Sequence, residues 1–231
     1  MKVNGPADGP VWTIVLAAGA GRRYGPTPKQ FESLGGERVL DRSLAVARAA
    51  ADHVVVVLAP GDESIGRDLV ETGAADVAVT GGAERADSVR AGLAVVDAEA
   101  AVIVVHDAAR PLASAALHRA VVAAVHAGAD GVIPAVAVTD TIKQVRHDGE
   151  GRSVVVGTPD RSTLVAVQTP QAFRVDVLRA AHASGADATD DAALVEANGG
   201  TVVVIEGERT NLKITTPDDL AIAHVLLEGL G

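Results

Sequence analysis

A turn of small residues, followed by two cations, stands near the start of the chain. Residues 16–21 are Leu-Ala-Ala-Gly-Ala-Gly, and Arg23 and Lys29 come soon after them. Small residues after a buried strand let backbone N–H groups approach a phosphate chain closely. The pattern therefore predicts a loop that presents Arg23 and Lys29 to a polyphosphate.

Two common phosphate-binding motifs do not fit this turn. A dinucleotide fingerprint, GxGxxG, would need its third glycine at position 24, and Gly25 falls one place late. The second predicted strand also ends in Ala-Pro-Gly at residues 59–61, without the expected acidic residue. A Walker A loop requires Gly-Lys-Ser/Thr, which the turn lacks. The segment is therefore not typical of a hydride-transfer site.

A single acidic residue ends another apolar run. Asp107 follows residues 101–106, and Arg110 lies three positions later. An acid at the end of a buried strand beside a nucleotide usually contacts Mg²⁺ or a ribose hydroxyl. Because Mg²⁺ keeps several waters and binds substrate phosphates, Asp107 is expected to act on the ion through water.

The composition favours one globular domain over residues 1–231. Of these residues 48% are hydrophobic, and the chain has no cysteine, which excludes disulfides and cysteine chemistry and indicates the cytoplasm. The net charge of −10 argues against a nucleic-acid-binding surface but permits a phosphate-bearing substrate, since a few clustered cations reverse the local potential. No apolar run reaches the roughly 18–20 residues of a membrane span.

Valine-rich runs alternate with alanine-rich stretches along the chain. The runs predicted as strands are residues 11–17, 53–59, 76–80, 101–106, 131–138 and 201–205. The stretches predicted as helices are residues 39–50, 62–72, 84–97, 114–127, 175–183 and 217–227, the last with Thr216 as N-cap and Pro217 in the first helical position. This alternation predicts an α/β fold with a doubly wound, mostly parallel sheet.

One segment breaks the alternation. Residues 140–161 change to short alternating strands around His-Asp-Gly-Glu-Gly at 147–151, which predicts a β-hairpin. A hairpin that projects from a doubly wound domain has little core of its own. Residues 140–161 are therefore expected to form either a mobile flap or a dimerisation arm, and we favour the arm.

Six further motifs, together with Pro28-Lys29-Gln30-Phe31, carry a family resemblance. They occupy residues 81–89, 105–111, 140–143, 168–171, 189–191 and 211–215. In this order they resemble the 2-C-methyl-D-erythritol 4-phosphate cytidylyltransferases of the nucleotide-sugar pyrophosphorylase-like superfamily. The resemblance implies a Rossmann-like nucleotidyltransferase that transfers CMP from CTP to the sugar-alcohol phosphate, releases pyrophosphate, uses Mg²⁺ or another divalent cation, and forms a homodimer with composite active sites.

The resemblance also implies roles for individual residues. Those that stabilise the transition state or aim the attacking phosphate are Arg23, Lys29, Arg161 and Lys213. Those that hold the nucleotide are Ala17, Ala18, Gly19, Gly21, Gly82, Ser88 and Asp107. Those that hold the acceptor are Asp107, Arg110, Thr141, Arg161, Thr169 and Lys213. His106 is expected to be structural, because a phosphate nucleophile is already ionised and needs no base.

Two alternatives stay open at this point. A ribitol or ribulose 5-phosphate cytidylyltransferase would share the chemistry, although such relatives tend to have Ala-Gly-Gly where this chain has Ala-Ala-Gly at residues 17–19. A catalytically inactive nucleotide-binding regulator would be expected to lose some of the four cations named above. Relatives also tend to carry an acid where this chain has Ala83.

Overall fold

The computed structural model describes residues 9–19, 24, 28–149, 151–183 and 185–230. Its strands are β1 (Val11–Leu16), β2 (Ser33–Leu34), β3 (Glu37–Arg38), β4 (His53–Leu58), β5 (Val77–Thr80), β6 (Val102–Asp107), β7 (Gly131–Ala137), β8 (Gln144–His147), β9 (Ser153–Gly157), β10 (Val165–Val167), β11 (Gln171–Arg174) and β12 (Val202–Glu206). Its helices are α1 (Val39–Arg48), α2 (Glu63–Glu71), α3 (Arg85–Leu93), α4 (Ala115–His126), α5 (Val175–His182), α6 (Asp191–Ala197) and α7 (Pro217–Glu228). None of the helices described is long and apolar enough to span a bilayer.

Eight strands form one central sheet. Its order is β10-β7-β11-β6-β1-β4-β5, and β12 pairs with β7. The pairs β1–β4, β1–β6, β4–β5 and β7–β12 are parallel. Strand β11 is antiparallel to both β6 and β7, and β10 is antiparallel to β7. The prediction of a mostly parallel α/β sheet is confirmed.

The sheet is covered on both faces, which explains its valine-rich strands. In β4, residues Val54 to Leu58 are all buried. Alternate side chains of the strands pack into different apolar clusters, for example Val55 with Ile14 on one face and Val56 with Val15 on the other. Strands buried on both sides read as continuous apolar runs instead of alternating ones.

The register of the sheet determines where the ligand site can form. Leu16 at the end of β1 lies opposite Asp107 at the end of β6 and Val57 of β4. From β1 the chain moves to β4 and β5 on one side and later returns to β6 on the other. The carboxyl ends of the strands therefore surround a point where the strand order reverses, and this is the usual binding crevice of such sheets.

Helix termini follow the local sequence signals. Thr216 caps α7 by accepting a hydrogen bond from the backbone N–H of Asp219, the Asp219 carboxylate accepts one from the backbone N–H of Thr216, and Pro217 begins the helix. The Ser114 hydroxyl caps α4 by accepting a hydrogen bond from the backbone N–H of Leu117 at 3.0 Å. The predicted start of α7 is confirmed.

Besides the two-residue strands β2 and β3, three elements among the described residues were not predicted. The strands β10 and β11 come from a stretch identified only by its motif at 168–171, and α6 begins at the motif at 189–191. Each is short, between three and seven residues, so none carries enough periodicity to be recognised. The helix α3 also ends at Leu93, four residues before the predicted end.

The predicted hairpin is present. The strands β8 and β9 pair antiparallel with each other, in a two-stranded sheet separate from the central one. Val145, Val154, Val155 and Val156 on this hairpin are 43–54% exposed. The hairpin and its flanking residues, 140–161, constitute the arm.

Candidate active site

A cavity of about 630 Å³ opens at the carboxyl ends of β1, β4, β5 and β6. The described residues that line it come from the turns after these strands, from the first turn of α3, from the segment at residues 29–30 and from the loop that carries Lys213. They are Leu16, Ala17, Ala18, Gly19, Lys29, Gln30, Ala59, Pro60, Gly81, Gly82, Ala83, Glu84, Arg85, Ser88, Asp107, Ala108, Ala109 and Lys213. The cavity thus joins an apolar floor to a set of charged groups.

The floor requires glycine after β5. A Cβ atom on Gly81 would stand 2.6 Å from both the Ala18 side chain and the Ser88 hydroxyl oxygen. A Cβ on Gly82 would stand 2.2 Å from the Cβ of Asp87. These distances are shorter than real contacts, so any side chain at either position would displace its neighbours.

The segment that follows the small-residue turn is fixed to two other parts of the chain. The buried Gln30 donates its amide Nε2–H to the carbonyl of Ala17 at 2.9 Å. Lys29 donates its Nζ–H to the carbonyl of Ile214 at 2.7 Å, beside Lys213. The Pro-Lys-Gln segment therefore carries a cation into the cavity while Gln30 holds the turn. Sequence reasoning gave Gln30 no role.

Asp107 lies between two cations. Its Oδ2 is 2.6 Å from the Nζ of Lys213, and its Oδ1 is 3.5 Å from the Nε of Arg85. Burial alone would raise the pKa of Asp107, but Lys213 and Arg85 outweigh it and hold that pKa well below its ordinary value. The carboxylate is therefore ionised, and it is surrounded by positive charge.

Arg85 and its partners were missed by sequence reasoning. The Arg85 Nη1 donates to Asp191 Oδ2 at 2.7 Å, and the other oxygen of Asp191 is 3.0 Å from His182 Nε2. Both Asp191 and His182 are buried. The motifs at 81–89 and 189–191 contain Arg85 and Asp191, but only the folded chain places side chains 106 residues apart within hydrogen-bond distance.

Thr169 and Arg110 support the end of β6. The buried Thr169 Oγ1 accepts the backbone N–H of Asp107 at 3.0 Å and lies 3.1 Å from Nδ1 of His106. The Arg110 guanidinium donates to the carbonyl of Asn211 at 2.8 Å, next to the segment that carries Lys213. Neither side chain lines the cavity.

The remaining predicted residues lie elsewhere. Arg161 and Thr141 are exposed at the base of the arm, and the Arg161 guanidinium donates to the carbonyl of Thr139 at 2.7 Å. Neither belongs to the lining of the cavity in the same subunit. Gly21 and Arg23 lie outside the described residues.

The donor set fits a magnesium ion that arrives with a triphosphate. The described ranges contain no group of three or more His, Cys, Asp or Glu side chains placed to hold a metal. Mg²⁺ is normally bound through one or two carboxylates together with substrate phosphates and water. The described lining contains two carboxylate residues, Glu84 and Asp107, and Asp107 is the one that pairs with Lys213.

A second cavity, of about 680 Å³, lies between α2 and β5. Its lining combines apolar side chains such as Leu58 and Val70 with the charged Glu63, Arg67 and Glu71. It lacks glycine-rich turns at strand ends and a carboxylate between cations. The predicted phosphate-binding residues therefore match the cavity around Asp107 and not this one.

Two buried histidines, His106 and His118, are expected to make the stability of the fold depend on pH. The rings of His106 and His118 meet edge to face, with centroids 4.8 Å apart. Burial lowers the pKa of His118 from 6.5 to about 4, and burial together with His118 lowers the pKa of His106 well below 6.5. Both rings are therefore neutral in the folded protein at pH 7, which agrees with a structural role for His106.

We expect the free energy of unfolding to fall as the pH falls from 6.5 towards 4. Over that window the unfolded chain protonates His118 while the native state keeps it neutral, so protons favour unfolding. For His118 the loss is at most about 3 kcal/mol, since one pKa unit corresponds to about 1.4 kcal/mol. Urea unfolding at several pH values should show a shallower pH dependence for His118→Gln than for wild type. The exposed His224, changed to Gln, is the control, and equal slopes for both variants would contradict the role of His118.

Comparison with known proteins assigns the family. The sequence profile of the family described as IspD, 2-C-methyl-D-erythritol 4-phosphate cytidylyltransferase, matches residues 11–229. The protein of that name from Rhodococcus jostii is 48% identical over 224 residues, covering 95% of this chain and 96% of its own. A bifunctional IspD/IspF enzyme of Anaeromyxobacter dehalogenans is 48% identical over 93% of this chain but only 56% of its own length.

Solved structures give the same assignment. The cytidylyltransferase of Thermus thermophilus superposes with a TM-score of 0.76 at 35% identity, covering 93% of this chain and 98% of that one. The 4-diphosphocytidyl-2C-methyl-D-erythritol synthase of Anaerococcus prevotii gives a TM-score of 0.81 at 29% identity, covering 94% and 96%. The chain is therefore a member of the 2-C-methyl-D-erythritol 4-phosphate cytidylyltransferase family.

Proposed function

We propose that the cavity around Asp107 is where this cytidylyltransferase moves CMP from CTP to 2-C-methyl-D-erythritol 4-phosphate in non-mevalonate isoprenoid synthesis. One observation carries the proposal. The cavity at the switch point of the sheet is lined by Lys29, Lys213 and Asp107 together with small glycine and alanine residues. Positive charge above a floor without bulky side chains suits a nucleoside triphosphate and a second phosphate.

The chemistry needs positioning and neutralisation more than proton transfer. A phosphate oxygen of the acceptor attacks the α-phosphorus of CTP, a new P–O bond forms, and the bond to the β-phosphate oxygen breaks to release pyrophosphate. The attacking phosphate is already ionised. Negative charge accumulates on the oxygens around the α-phosphorus, and fixed cations lower the barrier because they are in place beforehand.

Each cation has a part in this proposal. Lys29, with Arg23, holds the triphosphate and stabilises the charge that develops on it. Lys213 aims the acceptor phosphate, together with Arg161 of the arm. The cytosine lies between the backbone of Ala17 and Ala18 and the turn at Gly82, with Ser88 beside it. The Arg110 guanidinium and Thr169 support the acceptor side.

We further propose Mg²⁺ as the cofactor. Asp107 would hold it, through water, while the CTP phosphates supply the main ligands, and the bound ion would neutralise part of the triphosphate charge. In support of this, burial would raise the pKa of Asp107, but Lys213 and Arg85 lower it by more, so the carboxylate is ionised at physiological pH. Ala83 leaves no carboxylate side chain at its position in the base pocket. The cytoplasm remains the proposed location.

The homodimer is also part of the proposal. The arm exposes four valines, and Arg161 at its base does not line the cavity of its own subunit. An exposed apolar hairpin suits a symmetric contact with a second copy of the chain. In such a dimer Arg161 and Thr141 would complete the acceptor site of the partner.

The acceptor is tested by pyrophosphate release from CTP and Mg²⁺. We expect release with 2-C-methyl-D-erythritol 4-phosphate and not with ribitol 5-phosphate. Release with ribitol 5-phosphate alone would keep the mechanism and replace the acceptor. A folded protein that binds CTP and releases no pyrophosphate with either acceptor would identify a regulator and refute the proposal.

A further inference from the structure

A row of charged side chains runs from the cavity into the interior. Lys213, Asp107, Arg85 and Asp191 alternate in sign, with separations of 2.6, 3.5 and 2.7 Å. His182 ends the row, 3.0 Å from Asp191. The side chain is 42% exposed at Lys213, 12% at Asp107, 27% at Arg85 and 1% at Asp191. The outer end can therefore move, and the inner end is fixed.

The pairing of Lys213 with Asp107 conflicts with the role proposed for Lys213. A lysine that binds the acceptor phosphate must turn its ammonium group at least partly away from Asp107. Asp107 is only 12% exposed, so if Lys213 were its only counter-ion, the departure of Lys213 would leave a buried charge uncompensated. Some other cation must compensate the carboxylate while Lys213 is engaged with substrate.

Arg85 meets this requirement. Its Nε faces Asp107 Oδ1, the oxygen that Lys213 does not use, while its Nη1 is bound by Asp191. The rigid fork of a guanidinium has five N–H donors, so Arg85 can serve two carboxylates at once through different nitrogens. Asp191 stands in the first turn of α6 and is itself held by His182, so Arg85 cannot follow Lys213 towards the substrate.

We propose that Arg85 is a positioning residue that compensates Asp107 and so releases Lys213 to bind the acceptor phosphate. Without Arg85, Asp107 would retain Lys213 more strongly, and the acceptor would have to compete with the carboxylate for it. The expected consequence is specific: acceptor binding weakens, while CTP binding changes little. The inference rests on the proposed function.

A purely structural role for Arg85 makes a different prediction. If Arg85 served only to tie α3 to α6, then any change that breaks its bond to Asp191 would have the same effect. Asp191→Asn breaks the ion pair and keeps the guanidinium beside Asp107. The double variant Arg85→Gln/Asp191→Asn removes both charges, so it leaves no buried carboxylate without a partner. The two variants differ only at Arg85.

The experiment compares steady-state pyrophosphate release by these two variants and wild type, with 2-C-methyl-D-erythritol 4-phosphate and CTP each varied in turn. Arg90→Gln is the matched control, because Arg90 lies on the same helix and pairs with Asp87 at 2.6 Å outside the cavity. For the double variant we expect the acceptor KM to rise about tenfold or more, as for a lost hydrogen bond between charged groups. The CTP KM should change less than about threefold.

Asp191→Asn should lower the melting temperature but leave the acceptor KM within about threefold of wild type. Equal acceptor KM values for Asp191→Asn and the double variant would overturn the proposal for Arg85 and leave the proposed function intact. If wild type released no pyrophosphate with this acceptor, both would be refuted.

Discussion

Lys29→Ala is expected to lower kcat for pyrophosphate release by a factor of about a hundred to a thousand. Lys29 is the cation that the Pro-Lys-Gln segment adds to the lining of the cavity around Asp107. As the reaction proceeds, charge grows on the triphosphate oxygens, so an ammonium group there contributes more to the transition state than to bound CTP. The loss should therefore appear in kcat more than in the KM for CTP.

The control for Lys29→Ala separates charge from structure. Lys29 also donates to the carbonyl of Ile214, so its removal could disturb the neighbouring Lys213. Lys29→Arg keeps a cation and a donor and should retain more activity than Lys29→Ala. Arg119→Ala removes a cation from the exposed face of α4 and should behave as wild type. A kcat for Lys29→Ala within about tenfold of wild type would contradict its role in the transition state.

The parts of the fold that the sequence predicts are those with strong local signals. Continuous valine runs such as β4 can only be buried strands, and the cap at Thr216 with Pro217 marks the start of α7. The order of the motifs also allowed the family resemblance, which the comparisons confirm. Each strand run, helix cap and single motif lies within a few residues of the chain, and the order of the motifs can be read without the fold.

The parts that were missed depend on long-range pairing. The strand β11 is only four residues long and gains its place by inserting between β6 and β7. No local pattern predicts such an antiparallel insertion into a parallel sheet. The bond from Gln30 to Ala17 and the bridge from Arg85 to Asp191 likewise join segments that are separate in sequence.

The site residues illustrate the same division. Asp107 could be recognised because an acid that ends an apolar strand is unusual, and the register places it opposite Leu16. The pairing of Asp107 with two cations could not be recognised, because Lys213 reaches it from a loop 106 positions later and Arg85 from the first turn of α3, 22 positions earlier. Thr169 was expected at the acceptor, and its hydroxyl lies against the N–H of Asp107 and the ring of His106. Its contact with substrate stays a prediction.

Disruption of the arm is expected to abolish most of the activity without unfolding the chain. The arm forms its own two-stranded sheet, and an isolated pair of strands has little stability unless its apolar side is covered. Val155 is 54% exposed and lies opposite Val145. Val155→Asp would place a charge in the proposed subunit contact and should give a monomer in sedimentation. Val225→Asp, at an exposed valine of α7, should remain dimeric and active.

Mixing two inactive variants tests the composite site directly. Arg161→Ala impairs the arm, and Lys213→Ala impairs the cavity, so each homodimer should lose most of its activity. If Arg161 acts in the partner's site, a heterodimer of the two holds one site with both residues intact. Subunit exchange should then restore about a quarter of wild-type activity, because half of the dimers are mixed and each has one complete site of two. No recovery after proven exchange would place Arg161 in its own subunit's site and refute the composite arrangement.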